Sequence, residues 1–139
     1  MDARLRTFPD EVRCQFDFLV KEHGFTGPIE DERPSPLDGY IRYSSPTLIV
    51  TVGLALGPAS DQNVETGLTL NTATERIHVY LGELFAAAGL GPVNRVPIGA
   101  QTRHAMAKSI GAHGAALRQV LPIVLGPNGT VIMRQARGG

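Results

Sequence analysis

Residues 47–56, TLIVTVGLAL, decide the fold. Their even positions, Leu48, Val50, Val52, Leu54 and Leu56, are all bulky and apolar, while the odd positions read Thr47, Ile49, Thr51, Gly53 and Ala55. Side chains alternate across a strand, so this pattern describes a strand with one apolar face and one small or polar face. Such a strand belongs to an antiparallel sheet covered on one side only.

The segments that follow repeat the theme. In residues 64–70 the apolar Val64, Leu68 and Leu70 share one parity with Thr66, and in residues 75–81 Ile77, Val79 and Leu81 alternate with Arg76, His78 and Tyr80. Residues 40–43 are short and strand-like, joined to the central strand by a Ser-Ser-Pro turn. The pattern predicts an α+β fold built on a four-stranded antiparallel meander. Residues 8–23 carry Phe8, Val12, Phe16, Leu19 and Val20 at helical spacing. Thr7 is the expected N-cap, Pro9 falls in the first turn, and Gly24 with Phe25 forms the expected left-handed C-terminal closure.

A second long helix is expected over residues 101–125, where Met106, Ile110, His113, Leu117, Val120, Leu121 and Val124 form one stripe. The two helices should pack together on the apolar face of the sheet. A shorter helix around Leu84, Phe85 and Ala88 should end at Gly89. Residues 26–39, TGPIEDERPSPLDG, read as an exposed acidic, proline-rich loop. Residues 130–133 read as an added edge strand and residues 134–139 as a frayed tail.

At 139 residues with 42% apolar and 19% charged content, the chain suits one domain, spanning residues 1–139, with a core of its own. No apolar run approaches a membrane span and residues 1–6, MDARLR, do not open a secretory signal, so a cytoplasmic protein is expected. The single Cys14 has no cysteine to pair with and no neighbours at zinc spacing; a partly buried, inert thiol is expected. Net charge is zero but unevenly spread. Nine acids face six bases up to Ser44, whereas beyond Glu83 there are six bases and no acid. Either the two ends neutralise one another or these are simply solvated faces, or else the basic third is a surface for an acidic partner or nucleic acid.

No nucleophile elbow, phosphate loop, dinucleotide fingerprint or zinc pattern is present, so no cofactor and no metal is expected and the balance lies against an enzyme. An enzyme or small-ligand binder whose site converges from distant strands stays open as an alternative. His104 and His113 fall about 180° apart on the predicted helix, and His113, lying on the apolar stripe, reads as a satisfied core histidine. In AKSIGAHGAALRQV, residues 107–120, the spacing of Ala107, Ile110, Gly111, Leu117 and Val120 also suits a helix-turn-helix. That alternative would bind DNA through residues 103–121, using Arg103, Lys108, Arg118 and Gln119.

Residues 16–25 (FDFLVKEHGF), the acidic loop, residues 43–52 (YSSPTLIVTV) and the C-terminal GAALRQVLPIVLG, residues 114–126, follow one another in an order that resembles small α+β proteins of bacterial toxin-immunity type. The resemblance implies a non-catalytic protein that binds and blocks a partner protein, often through an acidic surface. The zero net charge and the acid-free C-terminal third depart from that last feature. Strand alternation places the candidate partner-binding residues on the uncovered face: Tyr40, Arg42, Glu65, Arg76, His78 and Tyr80, with Thr51 and Thr69 between them. Tyrosine and arginine carry much of the energy at protein interfaces. A half-covered sheet always turns polar residues to water, so convergence of these side chains is what would mark a site.

Overall fold

The computed structural model describes residues 2–30, 34, 37–57 and 62–138. It is an α+β protein with helices at both ends and a five-stranded antiparallel sheet in the order β1-β2-β3-β4-β5: Thr26–Ile29, Gly39–Ser44, Leu48–Ala55, Asn63–Asn71 and Arg76–Tyr80. The alternation in β3 has the expected consequence. Leu48, Val50, Val52 and Leu54 are wholly buried, and they stand opposite Leu70, Leu68, Thr66 and Val64 of β4. Each such aliphatic side chain contributes about 1.5–3 kcal/mol by leaving water. Leu56 is only half-buried, because the strand ends at Ala55 and the Leu56 amide turns to donate to Asp38 Oδ2 at 2.6 Å.

The sheet has five strands, not four. The additional strand, β1, lies within the segment expected to be a loop, and it pairs with β2 through Thr26–Ser44 and Ile29–Arg42. Pro28 fits there because β1 is an edge strand, where a missing ladder donor is tolerated. The acids Asp31 and Glu32 of that expected loop lie outside the described residues, as do Ser35 and Pro36.

The N-terminal helix begins earlier than expected. In α1, Ala3–Phe16, Asp2 is the N-cap and accepts from the Arg4 amide at 2.8 Å, so Pro9 lies inside the helix instead of in its first turn. Arg4 also reaches Gln62 Oε1 at 2.7 Å and the Ala100 carbonyl at 2.8 Å, fastening the start of the chain to two distant loops. A break at Asp17 separates α1 from α2, Phe18–His23. Gly24 follows with φ 70°, and the Phe25 amide donates to Leu19 O at 3.0 Å, closing the helix as its sequence implied. Cys14 is exposed on α1, where a partly buried thiol was expected.

The helical layer is completed by α3 (Leu81–Ala87), a 3₁₀ turn at Val93–Arg95, α4 (Arg103–Val124) and α5 (Gly129–Gly138). α1 lies along α4, and both rest on the sheet. Residues 129–138 are helical, correcting both the expected edge strand at 130–133 and the frayed tail. The reason is packing: Met133 and Ala136, three apart, are buried where α5 meets α3 and β5, which overrides the strand preference of Val131 and Ile132. Arg134 donates through Nε to Glu75 Oε1 at 2.8 Å and fixes the helix to the start of β5. Among the described residues no helix is long and apolar enough to cross a membrane.

Candidate functional site on the uncovered sheet face

The strand parity that buries one face sends a second set of side chains to the other, and the register arranges them in rows. One row runs Ile29, Arg42, Thr51, Gly67, Tyr80; a second runs Ser44, Ile49, Thr69, His78; a third runs Tyr40, Gly53, Glu65. Apart from Ile29 and Ser44 at the outer edge, they line a cleft of about 590 Å³ to which no helical residue among those described contributes. All six candidate residues, Tyr40, Arg42, Glu65, Arg76, His78 and Tyr80, border it, as do Thr51 and Thr69.

Two glycines shape the floor. A Cβ on Gly67 would lie 2.8 Å from His78 Cε1 and 3.2 Å from Thr51 Oγ1, so the bare backbone is what lets the imidazole approach β4 so closely. A Cβ on Gly53 would meet Leu37 Cδ1 at 2.9 Å, because Leu37 folds over the face and forms one wall. His78 is held on two sides. Its Nδ1 is 2.8 Å from Thr69 Oγ1, and its ring meets Tyr80 edge-on with centroids 5.4 Å apart. Thr69 is buried beneath that ring, so the pair anchors the imidazole and does not present an accessible nucleophile beside its base.

The electrostatics are mixed. Partial burial of the His78 ring lowers its pKa, and the neighbouring Arg76 charge lowers it further, so the neutral ring is favoured. Burial raises the pKa of Glu65, with the Glu83 carboxylate adding to the shift. Among the described residues, two guanidinium groups, Arg42 and Arg76, share the cleft with one carboxylate and two phenol rings. Such a surface can stack on apolar or aromatic groups while pairing with acids at the edges. Among the described residues no group of three or more His, Cys, Asp or Glu side chains is placed to hold a metal ion.

The helix-turn-helix reading does not match the structure. Residues 103–124 form one uninterrupted helix through Gly111 and Gly114, with Thr102 as its N-cap, and Gly114 packs against the Gln15 backbone of α1. Gly111 and Gly114 thus lie against Gln15 of α1 from within one helix, and no turn divides the segment. Arg103, Lys108, Arg118 and Gln119 are exposed, but Arg103 and Gln119 stand about 24 Å apart along the axis. Arg118 is committed elsewhere: it pairs with Glu22 at 3.3 Å and its guanidinium lies 4.2 Å above the Phe18 ring. Here a base of the C-terminal third does neutralise an acid of the N-terminal third. Arg134 and Arg137 instead meet Glu75.

His113 is the satisfied core histidine its position implied. It is 1% exposed; Nε2–H donates to the Pro97 carbonyl at 2.7 Å, which leaves Nδ1 to accept from the Thr66 hydroxyl at 2.8 Å. Burial pushes its pKa down to about 4, against a smaller opposing effect of the Pro97 hydrogen bond. Comparison with family models, with curated proteins and with solved structures returned no match.

Proposed function

We propose that this protein is a non-catalytic protein-binding module that engages a partner protein through the uncovered face of its sheet. The observation that carries the reading is convergence: Tyr40, Arg42, Glu65, Arg76, His78 and Tyr80 come from three strands, β2, β4 and β5, and border one cleft to which, among the described residues, no helix contributes. Tyrosine and arginine around a glycine-floored depression supply large, directional contact area. The cleft holds its anchors in place before a partner arrives, through the Thr69–His78 hydrogen bond and the His78–Tyr80 contact, which reduces the entropy lost on binding. An immunity-type inhibitor, blocking a partner by covering its working surface, is the specific form of this reading that the sequence resemblance supports.

Quantitative affinity capture tests it. Tyr40→Ala, Arg42→Ala and Tyr80→Ala should each weaken capture of the same partner by about 1–2 kcal/mol, roughly five- to thirtyfold. Gln119→Ala, on the exposed side of α4, should capture it normally. Circular dichroism and thermal unfolding of the three variants should stay close to wild type. Normal capture by all three would remove this face as the binding site.

A further inference from the structure

A second cavity lies at the end of the sheet, and its origin is topological. β5 stops at Tyr80, opposite Gly67, so β4 has no strand neighbour on that side at Glu65 and Thr66. The chain turns there into α3, and residues 93–99 return across the gap. They leave a cavity of about 550 Å³ between the free stretch of β4, the Tyr80–Glu83 turn and the returning segment. That volume falls in the range of small-molecule sites, roughly 300–1,000 Å³.

The walls are preformed. The Ile98 carbonyl accepts from the Val64 amide at 2.8 Å, Gly99 bridges to Asn63, Ser109 Oγ donates to the Gly99 carbonyl at 2.8 Å, and His113 holds the Pro97 carbonyl. On the inner side Val93 packs so closely on Gly82 that a Cβ there would lie 2.9 Å from Val93 Cγ1. The segment therefore cannot collapse into the space without breaking several hydrogen bonds at once.

The lining combines two features that are costly to leave in water or in each other's company. Tyr80, Val93 and Ile98, at 48%, 47% and 43% exposure, are three of the five most exposed large apolar side chains among the described residues, and all three border this one opening. Glu65 and Glu83 border it as well, two carboxylates from different elements, with no Lys or Arg among the described residues of the lining. We propose that this cavity binds a small organic cation, an ammonium group carried on an apolar body. The ammonium sits between Glu65 and Glu83 and beside the Tyr80 ring, and the apolar body rests on Val93, Val96 and Ile98. The mutual repulsion that Glu83 exerts on partly buried Glu65 is relieved when the cation arrives. The cavity shares Glu65 and Tyr80 with the cleft on the sheet face, but Glu83, Val93 and Ile98 lie outside that cleft, so substitutions at Glu83 and Ile98 test this inference apart from the partner-binding reading.

Amide NMR titration in phosphate buffer tests the proposal, with 2-phenylethylammonium and n-hexylammonium as probes. Saturable shifts are expected at the amides of Glu65, Gly82, Glu83, Val93 and Ile98. The neutral isostere 2-phenylethanol should bind at least about tenfold more weakly, and phenylacetate should leave those amides unmoved. Glu83→Gln should weaken both ammonium probes about tenfold while leaving 2-phenylethanol unchanged; Ile98→Ala should weaken ammonium and alcohol alike. Both substituted side chains are exposed, and a thermal unfolding curve close to wild type verifies that each variant is folded. The proposal fails if neither ammonium shifts these amides, if the alcohol binds as tightly, or if Glu83→Gln leaves ammonium affinity intact.

Discussion

Replacing His113 with glutamine should flatten the acid side of the stability profile, and the size of the effect follows from how the ring is held. In the folded state the imidazole is buried with both nitrogens engaged, and burial pushes its pKa down to about 4; in the unfolded chain it returns to the ordinary imidazole value of 6.5. Above pH 6.5 the ring is neutral in both states, and this group's contribution to stability is fully present. As the pH falls through the window between the two values, the unfolded chain takes up a proton that the folded protein refuses. Stability therefore drops, by about 2 kcal/mol at pH 5 and about 3 kcal/mol once both values are passed. Glutamine spans a similar reach and can donate to Pro97 and accept from Thr66 without titrating. It should cost about 1–3 kcal/mol at neutral pH through imperfect geometry. Urea unfolding followed by circular dichroism at about pH 7.5, 6 and 5 gives the comparison. His78 and Glu65 remain in both proteins, so their own shifts cancel in the difference. Wild type should lose about 2 kcal/mol more than His113→Gln across this range; profiles parallel to within about 0.5 kcal/mol would refute the neutral, doubly bonded assignment.

Two further substitutions probe the core. Val52→Ala removes methyl groups from a wholly buried position between β2 and β4 and should cost on the order of 1–3 kcal/mol; an unchanged melting temperature would contradict the packing of the apolar sheet face. Tyr43→Phe should be neutral or stabilising by about 1–2 kcal/mol, because the buried Tyr43 hydroxyl has no hydrogen-bond partner among the described residues while its ring, stacked on Phe16, is kept. Clear destabilisation by chemical denaturation would mean that the hydroxyl is satisfied.

The strands with strict alternation were legible in the sequence, and with them both faces of the sheet. β3 needs no tertiary context to declare its inward side, and the meander then fixes Tyr40, Arg42, Glu65, Arg76, His78 and Tyr80 on the opposite side. What alternation cannot give is shape. The cleft depends on Gly53 and Gly67 lying under Leu37 and His78, a juxtaposition across strands that no local pattern encodes. β1 escaped because Gly27 and Pro28 are breakers everywhere except at a sheet edge, and edge status is a property of the assembled sheet. α5 escaped because Val131 and Ile132 favour strand locally, while burial of Met133 and Ala136 decides for helix. The start of α1 lies ahead of the apolar spacing that begins at Phe8, and it is the Asp2 cap that sets it. The second cavity joins Glu65 to Glu83 and to residues 93–98, three separated segments whose meeting depends on where β5 stops.

The strand order β1-β2-β3-β4-β5 also dictates how the chain can assemble. Every strand pairs with its neighbour in sequence, so β2, β3, β4 and β5 are joined by closing only the short connections 45–47, 56–62 and 72–75. The packing of α1 on α4, by contrast, brings together segments about a hundred residues apart, and closing a loop of that length costs about 3 kcal/mol more entropy than closing one of four residues. The hairpins hold their contacts at low entropic cost, and the meeting of the two chain ends is the expensive step. The cleft residues of β2 to β5 depend only on these short closures, whereas the helices that roof the opposite face depend on the long one.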